Sequence, residues 1–90
     1  VGYTSLNFKI TFKQMKKDGD YMVSAELENL TSEKYRSVWF LIHGKYESDN
    51  KPFRERFRFV DIDSKGKKSV DIYTGGLLKD VKFGYLKDSN

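Results

Sequence analysis

The sequence predicts an all-β protein, an antiparallel β-sandwich of six to seven short strands. Apolar and polar residues alternate with period two in several separate runs, the mark of strands with one buried face. Turn signals built on Gly, Pro, Asp and Asn interrupt these runs about every 8–12 residues, the spacing found in sandwiches and small barrels. No run of normal helical length fits a 3.6-residue period. The chain has 90 residues, too few for two domains of ordinary size, so residues 1–90 read as a single domain.

Leu6, Phe8, Ile10 and Phe12 alternate with Asn7, Lys9, Thr11 and Lys13, which predicts a first strand with one face in the core. Asp18-Gly19 then sits between two alternating runs, and Gly takes a positive φ at low cost, so a hairpin turn is expected there. Tyr21, Val23, Ala25 and Leu27 alternate with Ser24, Glu26 and Glu28 in a second strand, whose acidic row can face the Lys9 and Lys13 row. Residues 29–36 are polar and unpatterned, and read as a loop or a short turn of helix.

Ser37 to Glu47 is the third strand. Its Val38-Trp39-Phe40-Leu41-Ile42 run is apolar at both parities, as in a central strand covered on both faces. Ser48 to Pro52 is a turn, and Phe53 to Val60 alternates Phe with Arg54, Arg56 and Arg58, giving a cationic outer row. Residues 61–68 form a turn around Gly66, Ser69 to Thr74 a strand with Val70 and Ile72 inward, and Gly75-Gly76 a break. Val81, Phe83 and Tyr85 make the last strand, and Lys87-Asp88-Ser89-Asn90 reads as a solvated tail. The chain opens at Val1 without Met and without a charged-then-apolar signal segment, as expected of a domain excised from a longer chain.

Seven Phe, six Tyr and one Trp must supply most of the core, since a chain this small buries only about two-thirds of its unfolded surface. There is no cysteine, hence no thiolate nucleophile, thiolate metal site or disulfide. No stretch approaches the ~18 apolar residues of a membrane span, so no membrane insertion by this segment is expected. The net charge of +4 is carried largely by lysines dispersed along the chain, a distribution that ordinarily serves solubility.

Motifs of catalysis are thin, and the expectation is a protein that is not an enzyme and needs no cofactor or metal. The only histidine, His43, lies in mid-strand, where a lone His is ordinarily a packed or surface residue. No Gly-x-Ser-x-Gly elbow, phosphate loop or His-x-x-x-His pair occurs. Asp61-Ile62-Asp63-Ser64-Lys65-Gly66 is superficially like a calcium loop, but Lys65 and Ile72 stand where ligands are required, so an Asx turn is expected instead. Asn29-Leu30-Thr31 fits a glycosylation acceptor triplet, a pattern that often arises by chance.

One surface stands out. If residues 37–47 and 53–60 pair as a hairpin with Phe40 facing Phe59 and Ile42 facing Phe57, Trp39, Leu41 and His43 share the outer face with Arg54, Arg56 and Arg58. A register shifted by one residue would bring Val38, Phe40, Ile42 and Tyr46 there instead. Either way an apolar row lies beside arginines spaced about 7 Å apart. Arginine stems can simply shield such side chains, but an aromatic-plus-Arg patch is also the composition enriched at interfaces.

The run Val23-Ser24-Ala25-Glu26-Leu27-Glu28-Asn29, followed by Val38 to Tyr46, resembles small bacterial immunoglobulin-like domains of the FxLYD or CARDB type. In those families an x-Val-x-Asn strand end, a polar loop and a strand running into a Tyr-Asp-x-x-Gly turn recur in this order. Here Tyr46-Glu47-Ser48-Asp49-Asn50 takes the place of that turn, and Ser64 to Val70 the place of a later Gly-containing turn; the Leu-Tyr-Asp triplet itself is absent. The resemblance implies an immunoglobulin-like sandwich in a cell-envelope or secreted, extracytoplasmic protein, and it implies no site residues. The expected function is therefore a non-catalytic interaction or spacer module. Its expected partner is a protein, a neighbouring domain of the parent chain or an anionic cell-wall polymer, bound through the Trp39/Arg face. The alternative is a small OB- or Sm-like barrel binding single-stranded nucleic acid, which strand count alone leaves open.

Overall fold

Asp18 and Gly19 both adopt positive φ, 52° and 85°, and close a two-residue hairpin between Lys17 and Asp20. From that turn two ten-residue strands run back along each other. The computed structural model describes residues 2–90 and contains β1 (Tyr3–Thr4), β2 (Phe8–Lys17), β3 (Asp20–Asn29), β4 (Tyr35–Tyr46), β5 (Pro52–Ile62), β6 (Lys67–Tyr73) and β7 (Leu78–Ser89). They form a four-stranded sheet, β1-β2-β3-β6, and a three-stranded sheet, β5-β4-β7, with every neighbouring pair antiparallel. The chain changes sheet between β3 and β4, β5 and β6, and β6 and β7, so β6 returns to lie beside β3 and β7 beside β4. This is the all-β antiparallel sandwich the sequence predicts, with seven strands in two sheets.

The alternating residues explain the layer between the sheets. Phe8, Ile10, Val23, Ala25, Leu27 and Ile72 from one sheet meet Val38, Phe40, Ile42, Phe57, Phe59 and Phe83 from the other, all of them buried. Phe40 is the hub, with ring centroids of Tyr3, Phe8, Phe57, Phe59 and Tyr85 between 5.1 and 6.3 Å away, mostly edge-on. The side-chain amide of Gln14 adds a polar tie between the sheets. Its Nε2 donates to the Leu78 carbonyl at 2.7 Å, and its Oε1 accepts the Leu78 N–H at 2.9 Å.

Asn29 fastens the loops at one end. It is fully buried, and Nδ2 donates to the carbonyls of Glu33 (2.7 Å) and Asp63 (2.9 Å), while Oδ1 accepts from the N–H and hydroxyl of Thr31 (3.0 and 2.8 Å). Both amide protons are thereby used inside the fold, so a sugar could be attached at this triplet only by breaking the knot. The Asp61–Gly66 run is a backbone turn and not an Asx turn: the Gly66 N–H meets the Asp63 carbonyl at 2.9 Å, and Lys65 takes a φ of 58°. The Asp63 carboxylate points away to an exposed pairing with Lys34 at 3.6 Å.

Four expectations are corrected. Leu6 is not in a strand but sits 94% exposed in the turn between β1 and β2, because the chain doubles back there to pair Thr4 with Lys9. No helical turn forms at residues 29–36; Tyr35 is buried and begins β4. The last strand starts at Leu78, not at Val81. Residues 87–89 are no free tail, since Lys87, Asp88 and Ser89 pair with Trp39, Val38 and Ser37.

Candidate functional site

β4 is the central strand of the three-stranded sheet, and its odd-numbered residues from Ser37 to Lys45 point away from the core. The register places Trp39 opposite Arg58, Leu41 opposite Arg56 and His43 opposite Arg54, so all six residues singled out in the sequence lie together on one outer face. The pairing itself is two residues from the expected one, with Phe40 facing Phe57 and Val38 facing Phe59. Because two residues is a full period of the pleat, the same side chains still face outward. A four-residue connection from Glu47 to Asn50 sets this register, closed by the Tyr46 N–H on the Lys51 carbonyl, with Asn50 at a φ of 61°.

On the other side β7 contributes residues the sequence did not nominate. Lys87 lies opposite Trp39, Gly84 opposite Leu41, Lys82 opposite His43 and Lys79 opposite Lys45. The outward ladder positions thus hold seven cations, Lys45, Arg54, Arg56, Arg58, Lys79, Lys82 and Lys87, all exposed. Among the described residues no Asp or Glu occupies an outward ladder position of this sheet. The lysines that look dispersed along the chain are therefore partly gathered by strand pairing. The available signal was weak, since β4 and β7 are separated by more than thirty residues and pair only through the sandwich topology.

Trp39 is half-buried without any layer above it. Arg58 from β5 and Lys87 from β7 pack on the indole at 5.4 and 5.8 Å from its centroid, so the strand on either side supplies a cation to the ring. Two bulges shape the β7 side, one near Leu86 and one near Asp80, where φ is 55°. The first leaves Leu86 unpaired and 43% exposed, and with Trp39, Arg56 and Lys87 it lines a shallow cavity of 290 Å³. Gly84, on β7 opposite Leu41, carries no side chain, and a Cβ built there meets nothing within 4 Å.

Of the acids on β7, Asp80 sits exposed in the bulge beside Lys79, and Asp88 pairs opposite Val38 on the inner side of the pleat. Asp88 accepts a hydrogen bond from the Tyr85 hydroxyl, and burial together with that bond pushes the Tyr85 phenol up to about 12. Among the described residues no group of three or more His, Cys, Asp or Glu is placed to hold a metal ion, and no helix is long and apolar enough to cross a membrane. What the face can do chemically is donate: guanidinium forks and ammonium groups on two flanking strands, around an apolar middle. No protein-family model, no curated protein and no solved structure matches this chain.

Proposed function

We propose that the domain is a non-catalytic binding module that engages an anionic partner through the outer face of the β5-β4-β7 sheet. The sorting of charge carries this. Seven exposed cations hold outward ladder positions of one sheet and, among the described residues, no carboxylate does, although the whole chain has thirteen acids against seventeen Lys and Arg. Like charges directly opposite one another in a sheet oppose pairing, as with Lys45 and Lys79, and an anionic partner relieves that repulsion. The sequence resemblance alone adds the setting, a module of a bacterial cell-envelope or secreted protein that meets an anionic wall polymer, an acidic protein or a neighbouring domain. The closed barrel on which the nucleic-acid alternative rested is replaced by two separate sheets.

The test is retention on immobilised polyglutamate and immobilised polyphosphate at low salt. Wild type is expected to bind at least one of them. The triple variant Arg54→Glu, Arg56→Glu, Arg58→Glu, still folded by circular dichroism, is expected to bind neither. The matched triple on the other sheet, Lys9→Glu, Lys13→Glu, Lys67→Glu, should keep binding. Equal retention by the arginine variant would remove this face from the function.

A further inference from the structure

Resting on the anionic-partner reading, we propose that the partner is a slender, unbranched phosphate chain lying along β4, seated in the trough that Gly84 leaves open between β4 and β7. The dimensions favour a linear chain over a globular protein. The two cationic strands flank β4 about 10 Å apart, and the outward positions from Ser37 to Lys45 span roughly 27 Å. That strip offers a few hundred Å², well short of the roughly 800 Å² per partner that a stable protein interface buries.

The arrangement of donors points the same way. Arg54, Arg56 and Arg58 stand at every second residue along β5, and Lys82 and Lys87 follow along β7, so a chain with an anion at each repeat meets a donor on one side or the other. At Leu41 one neighbour is Arg56 and the other is Gly84, where a Cβ would enter open space. Among the described residues Trp39 is the only Phe, Tyr or Trp at an outward ladder position of this sheet, and Arg58 and Lys87 pack on it from both strands, which leaves its ring little room for a stacked base.

Trp39 is also the only tryptophan, which makes its fluorescence a local reporter. The experiment titrates inorganic polyphosphate of graded length into wild type, Gly84→Ala, Gly84→Val and the triple arginine variant. Gly84 does not have a positive φ and its Cβ position is open, so valine, a strong strand former, is compatible with the fold. Affinity is expected to rise with chain length and level off once the chain spans the strip. Gly84→Val should bind about tenfold more weakly with no change in charge, and Gly84→Ala should fall between it and wild type.

Each failure points to a different fault. Wild-type affinity in Gly84→Val together with loss in the arginine variant would overturn the trough and leave the anionic face in place. Binding of polyglutamate but not polyphosphate would overturn the phosphate chain. Tighter binding of a single-stranded oligonucleotide than of polyphosphate of equal charge would overturn the base-free ligand. Unchanged binding in the arginine variant would remove the face itself.

Discussion

The two outer faces of this sandwich are built from the same residue types and sorted in opposite ways. On the four-stranded sheet Lys9 lies opposite Glu28, Glu28 opposite Lys67, and Lys17 opposite Asp20, so the outward rows of β2, β3 and β6 hold four lysines and four acids. On the three-stranded sheet the corresponding rows hold seven cations and no acid. Removing those seven from the seventeen Lys and Arg leaves ten cations against thirteen acids, so a chain of net charge +4 carries a net negative charge over the rest of its residues taken together. A face that serves only solubility has no need of such sorting, because mixed signs cost less in repulsion. The first face shows what this chain does when strand pairing alone is at stake.

The faces share an interior, and the largest effect expected lies there. Phe40 is fully buried among five aromatic rings drawn from both sheets. Phe40→Ala should lower stability by about 3–5 kcal/mol, a large share of what a small domain has, and urea denaturation measures it. Leu41, one residue on and half-buried on the outer side, should cost far less when truncated to Ala. Equal losses at 40 and 41 would mean that the outer face is covered in solution by something as dense as the core.

Alternation made one side of this picture legible and left the other dark. Phe8, Ile10, Phe12 and the Val23 to Leu27 row declare their inner face outright, and Asp18-Gly19 declares the turn between them. The same periodicity assigns Trp39, Leu41, His43 and the three arginines to one face but cannot fix their offset, because Phe57 and Phe59 have equal parity. The offset is decided by the four-residue turn and the positive φ of Asn50. In β7 the bulges near Asp80 and Leu86 break the period. That is why the strand reads as starting late and ending early, and why Lys79, Lys82, Lys87 and Gly84 were missed. The cationic face arises from a contact between distant strands, and no local pattern records it.

One substitution made on each face isolates the charge sorting, with smaller effects. Lys45→Glu places a carboxylate opposite Lys79 and should raise stability by about 0.2–1 kcal/mol. Lys9→Glu, the same change on the other sheet, places a carboxylate opposite Glu28 and should lower stability by about as much. Both differences should shrink as salt is added, since both sites are open to solvent screening. Shifts of the same sign in thermal denaturation would show that the two faces do not differ electrostatically.

The smallest effect concerns the acid that could spoil the contrast. Asp88 lies on β7 beside Lys87, but it pairs opposite Val38, so the pleat gives it no outward ladder position. Instead the Tyr85 hydroxyl holds it, and burial together with this bond pushes the phenol up to about 12, above its ordinary value near 10. An acid whose folded pKa is raised is stabilised in its protonated form. Its contribution is complete below about pH 10 and is lost as pH climbs from there through the folded value. Asp88→Asn removes the charge that opposes the phenolate, so one of the six tyrosines should titrate earlier in phenolate absorbance, and stability should fade over a narrower alkaline range. Because Tyr85 is 41% exposed, the change in stability is expected to be slight and the absorbance shift is the informative signal. An unchanged titration would mean that Asp88 does not hold the Tyr85 hydroxyl and that burial accounts for the raised value.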